Sequence, residues 1–111
     1  MRAEFIDPGR FSHELALETA TRTPDGAGGY TENWSEVATL FARIDPVVAA
    51  NRFGADKHTV TVTHRVTLRS RPDIVHGMRL SKRERKFEII TVHDPDETGR
   101  YLVCQVREER P

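Results

Sequence analysis

The stretch His58-Thr59-Val60-Thr61-Val62-Thr63-His64-Arg65-Val66-Thr67-Leu68-Arg69-Ser70 alternates with a period of two. Val60, Val62, Val66 and Leu68 share one parity, and Thr59, Thr61, Thr63, Arg65, Thr67 and Arg69 share the other. That pattern is a strand with one apolar face and a polar, β-branched outer face. The same period recurs on both sides of it. Leu15 and Leu17 alternate with Glu14, Ala16 and Glu18; Ala38, Leu40, Ala42 and Ile44 form a same-parity row that Pro46 interrupts. Downstream, Phe87, Ile89, Ile90 and Val92 make a more fully apolar strand, and Leu102, Cys104 and Val106 return after a polar turn at Asp94–Gly99, a hairpin.

The breaks lie where turn chemistry puts them. Thr23–Gly29 holds three of the seven glycines, Arg71-Pro72-Asp73 stops the long strand, and His76-Gly77 offers a further turn before Met78 and Leu80. Two short stretches are open to helix. Thr31–Glu36 has the length of a turn, and Val47–Asp56 has that of a short helix ended by Gly54. The expectation is all-β: a small antiparallel barrel or sandwich of about six strands with one short helix or long loop, in a single domain spanning 1–111.

Length and charge narrow the function. A chain of 111 residues buries roughly two thirds of its unfolded surface, enough for one core and too little for a deep interdomain cleft, which excludes a large multi-substrate enzyme. No apolar run approaches the ~20 residues that span a bilayer, so a soluble protein is expected, and acids stand where a signal peptide would be apolar. A lone cysteine, Cys104, forms no internal disulfide. The 17 basic and 17 acidic residues cancel, but residues 1–57 carry 6 basic against 9 acidic and residues 58–111 carry 11 against 8. Opposite halves suit contacts between copies better than free-standing DNA binding.

Candidate chemistry is sparse. His58, His64, His76 and His93 lie in different elements without metal-ligand spacing, so no metal or cofactor is expected. Cys104 shares the parity of Leu102 and Val106, that of a buried thiol rather than a nucleophile. The glycine loop lacks the lysine and following helix of a phosphate cradle and reads as a hairpin tip. Lys82, Arg83, Arg85 and Lys86 form a basic cluster ahead of a core strand, either simply solvated or an electrostatic contact. Trp34 is either a core residue or an interface anchor.

The order of these pieces resembles the phage head-tail joining family, the head-closure or stopper proteins. The resemblance starts at Gly9-Arg10-Phe11-Ser12-His13-Glu14-Leu15-Ala16-Leu17 and continues through Asp25–Tyr30, Trp34 and Val37–Ile44. It resumes at Thr63–Ile74, Gly77–Leu80, Arg85–Val92 and the closing hairpin. It implies a small non-catalytic barrel forming a homo-oligomeric ring at the neck, closing the head after packaging and docking the tail. Implied partners are a portal or adaptor protein, a tail terminator or tail tube protein, and packaged DNA in the channel, with no membrane. The same module serves phage, prophage and gene transfer agents, and its place would be the particle neck after assembly in the host cytoplasm.

A ring needs heterologous contacts, and the charge asymmetry suggests them. Arg65, Arg69 and Arg71 on the polar strand face are expected to meet Glu14, Glu18 or Glu36 of a neighbour, with Trp34 as the anchor. The long connection with Val47, Arg52, Phe53 and Lys57 is the candidate loop facing the DNA channel or the next ring. Two rival classes remain. A small nucleic-acid-binding barrel would need aromatics among the outward Thr and Arg of the long strand, and an enzyme would need a compact catalytic cluster.

Overall fold

The computed structural model describes residues 6–47 and 61–109. After a 3-10 turn at Pro8–Arg10, whose amide at Gly9 is capped by the Asp7 side chain at 3.0 Å, come six strands. They are β1 (His13–Pro24), β2 (Tyr30–Pro46), β3 (His64–Arg69), β4 (Arg79–Lys82), β5 (Arg85–His93) and β6 (Tyr101–Glu108). All pairings are antiparallel, in the order β1-β2-β3-β6-β5-β4, and β4 returns to β1, so the sheet closes into a barrel. Closure removes the open strand edges that any flat sheet of this size would carry.

The alternation read from the sequence supplies the interior. Leu15, Leu17, Leu40, Ala42, Val66, Leu68, Leu80, Phe87, Ile89, Cys104 and Val106 fill it, and Ile74 and Met78 join them from the β3–β4 connection. Ten of these side chains are essentially inaccessible, with Phe87 the largest. At about 25 cal/mol per Å2 of apolar surface, each buried Leu or Phe contributes roughly 1.5–3 kcal/mol, so this row carries the fold.

Three readings of local structure change. Thr31–Glu36 is strand, because it pairs residue for residue with Thr19–Thr23 and Glu18 of β1. Hairpin pairing overrides the weak local preference of a Gly-flanked, Asn-containing stretch. The long strand expected over His58–Ser70 is assigned only from His64 to Arg69 among the described residues, although Thr63 still donates its amide to the Val106 carbonyl. The basic run Lys82–Lys86 is the turn of the β4–β5 hairpin, not the lead-in to one strand: Lys82 pairs Arg85 across a two-residue tip. Arg83 there takes φ 56°, the left-handed value that short hairpin tips demand.

β1 and β2 outrun the barrel. β4 covers β1 only at Ala16–Glu18, and β3 covers β2 only at Ala42–Pro46, yet β1 and β2 stay paired out to Pro24 and Tyr30. A bulge at Val37, between the Leu17–Ala38 and Glu18–Glu36 pairs, marks where the wall becomes a two-stranded arm. The inward parity of β1 runs on from Leu15 and Leu17 into Thr19, Thr21 and Thr23, opposite Ser35, Asn33 and Thr31. Past the bulge that inward face carries only hydroxyl and amide side chains, so the arm adds nothing to the core and projects, about 20 Å long at 3.4 Å per residue. Asp25 closes its tip, accepting from the amides of Ala27 at 2.8 Å and Gly29 at 3.0 Å.

Candidate assembly interface

The outer face at the root of the arm is built around Arg79. Register sets Arg79 of β4 beside Glu18 of β1, and its Nε donates to Glu18 Oε1 at 2.5 Å. Both side chains are only 16% exposed. The guanidinium carbon also lies 4.2 Å from the ring centre of Trp34 on β2. Trp34 is therefore neither in the core nor free: it is half-buried on the outside, sandwiching the cation that joins β4 to the arm.

A second feature is a depression of about 410 Å3 lined by Pro8, Phe11, Leu40, Phe41, Arg69 and Arg71, among others. Phe41 is 57% exposed and, with Phe11, gives the depression an aromatic side. Phe11 stands edge-on to Tyr101 with centroids 5.8 Å apart. Arg71 chelates Asp73 through Nε at 3.1 Å and Nη2 at 3.0 Å, which holds the Asp73 carboxyl below its ordinary value. Arg69 has no ion-pair partner among the described residues.

Around the barrel, a mixed-charge depression of about 340 Å3 brings Glu14 and Glu36 together with Lys82 and Arg83. Glu36 accepts from the Thr39 hydroxyl at 2.9 Å, and Lys82 donates to His13 Nδ1 at 2.8 Å. Two more cations of the basic cluster are tied down. Arg85 grips Glu108 at 2.8 and 3.1 Å, which pushes the carboxyl of Glu108 down and the guanidinium of Arg85 up, and Lys86 donates to Ser81 Oγ at 2.6 Å. Arg83, exposed at the tip, is the one member of the cluster without a side-chain partner among the described residues. Glu108 also lies 4.0 Å from His64 Nε2. His64 packs edge-on against Phe87 with centroids 5.4 Å apart, and burial holds its pKa below 6.5 against the pull of Glu108.

Of the residues expected at a subunit contact, then, Glu18 and Arg71 are engaged within the chain, and Trp34 is partly so. Arg65 is exposed on the outer face of β3, opposite Asp45 in register, and Glu14 is exposed on β1. Val47 donates its amide to the Thr63 carbonyl at 2.9 Å. Arg52, Phe53 and Lys57, with the helix expected over Val47–Asp56, lie outside the described residues apart from Val47. Cys104 is buried, and burial pushes its thiol up to about 12, far from a nucleophile's range. Among the described residues no group of three His, Cys, Asp or Glu is placed to hold a metal, and no helix is long and apolar enough to cross a membrane.

Two groups escaped the reading of the sequence. Phe41 was visible in principle, since it has the outward parity in the Leu40–Ala42–Ile44 row. Arg79 gave no signal, because its partners Glu18 and Trp34 are 61 and 45 positions away and only barrel closure unites them.

Residues 6–109 match the family described as Phage head completion protein. A chain of the virion of a native gene transfer agent particle is similar in structure, with TM-score 0.68 and 27% identity, covering 89% of this chain and 94% of that one. So is protein SF1141 from Shigella flexneri 2a, with TM-score 0.65 and 25% identity over 93% and 96% of the two chains. No curated protein matches the chain.

Proposed function

The chain belongs to the phage head completion protein family, and from that membership we propose that it is a structural, non-catalytic component of a phage or phage-like particle. In this reading it forms a ring at the neck, between the portal or adaptor protein and the tail, closing the filled head and offering the tail its docking surface. The observation that carries the reading is the likeness to a chain within a gene transfer agent virion, which extends over 89% of this chain and 94% of that one rather than over a shared fragment.

The surface chemistry fits assembly rather than turnover. One depression is lined by exposed Phe41 with Phe11, Arg69 and Arg71, and aromatic and arginine side chains are the ones enriched at contact surfaces. Exposed Arg65 and Arg69 on one side of β2 and the mixed-charge depression with Glu14 and Glu36 on the other offer a head-to-tail contact two different patches. A closed ring would surround the DNA and touch it without reading sequence, through backbone charge alone. The test is cryo-electron microscopy of particles from a strain making the protein, beside particles from a strain lacking its gene. Density for the barrel at the neck, lost with the gene along with tail attachment, is expected. Full, tailed particles without the gene product would refute the reading.

A further inference from the structure

The arm is the part of the molecule that the barrel does not explain. Its two strands satisfy each other on one side only. Among the described residues, β1 from Thr19 to Pro24 and β2 from Tyr30 to Phe41 have no strand on their other sides. These edges are rich in Thr, Tyr and Trp, side chains that suit strands, and they carry little charge. Proteins usually blunt such edges with lysines, prolines or bulges. Here the proline is at the tip, at Pro24, and the bulge is at the root, at Val37, leaving the span between them open. A two-stranded ribbon is marginal in water, and a third strand adds the pairing it lacks.

The edges are also unlike. The β1 edge carries Arg22 and no acid beyond Glu18, which Arg79 engages; the β2 edge carries Glu32 and Glu36. Edges of the same kind would set Arg22 against Arg22 or Glu32 against Glu32, and like charges opposite one another are unfavourable. Unlike edges set Arg22 of one copy beside Glu32 of the next, repeating the pair already present inside each arm at 3.9 Å.

We propose that arms of neighbouring copies pair edge to edge, β2 of one with β1 of the next, into one continuous antiparallel sheet. Because β1 and β2 run oppositely, arms that all point the same way alternate in strand direction around the circle without a break. Closure of that circle removes the last open edges of the fold, as closure of the barrel removes the others. This rests on the ring reading, and the experiment separates the two.

Two full-length variants, Thr21→Cys and Asn33→Cys, change exposed, mutually aligned positions of the arm, while native Cys104 stays buried and silent. Both are produced together in a strain that assembles particles, and the purified particles are treated with a short bismaleimide. Pairing of unlike edges links a copy carrying Asn33→Cys only to a copy carrying Thr21→Cys, so covalent dimers and nothing larger are expected, holding up to about half of the chains when the two variants mix at random. Neither variant alone should give dimers. Necks that contain the protein and yield no dimers overturn the arm pairing and leave the ring standing; dimers from either variant alone overturn the unlike-edge order. Particles whose necks lack the protein altogether overturn the ring and, with it, this proposal.

Discussion

Replacing Arg79 with Met keeps the aliphatic stem against Trp34 and removes the charge that joins β4 to β1. The structure sets the size of the effect. A charge-assisted hydrogen bond contributes about 1.5–3 kcal/mol, and a cation over an indole about 0.5–1 kcal/mol when partly exposed. Glu18, at 16% exposure, is left with a carboxylate that water reaches poorly, while the retained packing of Met offsets part of the loss. The net expectation is about 2 kcal/mol. With an unfolding entropy of about 2.1 cal/mol/K per residue, that lowers Tm by about 9 °C for a chain of this length. Urea unfolding followed by Trp34 fluorescence reads it directly, because Trp34 is the single tryptophan and lies against the mutated side chain. The control is Arg85→Met, whose side chain is 45% exposed and whose loss should cost only about 0.5 kcal/mol. A double-mutant cycle with Glu18→Gln should return a coupling of about 1 kcal/mol or more. A coupling near zero, or an Arg79→Met loss no larger than that of Arg85→Met, would refute the assignment of Arg79 as the clamp of the barrel seam.

Two further outcomes follow from single side chains. Burial holds His64 below 6.5, and burial with Lys82 and Arg85 does the same for His13, so the unfolded chain takes up these protons first as the pH drops. Stability is then complete above about pH 6.5 and falls as the pH goes below it, toward the lowered native values. The depressed carboxyls of Glu108 and Asp73 start from 4.5 and 3.8 and lose their contribution only in more acid solution. The urea midpoint should therefore drop between about pH 7.5 and 5.5, and His13→Gln/His64→Gln should flatten that interval; an unchanged slope would disprove the linkage. Cys104, with its thiol pushed to about 12 and no exposure, should react with a thiol reagent at about pH 8 only through unfolding, its labelling accelerating in step with urea. Labelling of the native protein at the rate of a free thiol would show that the barrel opens locally at β6.

Much of the barrel is written as parity. Leu15 and Leu17, Leu40 and Ala42, Val66 and Leu68, Phe87 and Ile89, Cys104 and Val106 all face inward as their alternation requires. What parity hides is any place where it slips. The extra residue at Val37 shifts the inward phase of β2 from odd to even positions, so the alternation on either side of it reads as two elements rather than one strand of 17 residues. The extra residue at Ile90 does the same on β5, which is why Phe87, Ile89, Ile90 and Val92 look continuously apolar. The contact surfaces were harder to foresee for a different reason. Arg65 and Glu14 are exposed as their parity says, but whether a charge is free depends on distant partners, and Arg71 found Asp73 while Glu18 found Arg79. Periodicity carries a side chain's direction; it carries nothing about which cation and anion the closed sheet will bring within reach.

The seam between β1 and β4 is a ladder of three residue pairs, and it joins residues 16–18 to residues 79–81. The opposite wall depends on β6, which begins at Tyr101 and pairs with both β3 and β5. No part of the barrel can therefore close while these segments are still being made: until β6 has left the ribosome, Leu15, Leu17, Leu40 and Leu68 lack the far side of their core. The β1–β2 hairpin is local and forms early, but closing the sheet waits for distant segments, which places the molecule among slow, topology-limited folders. Such a protein reaches its folded form as a finished chain, and the competition it faces in the cell is between closing its own sheet and lending the same exposed strands to another unfinished copy.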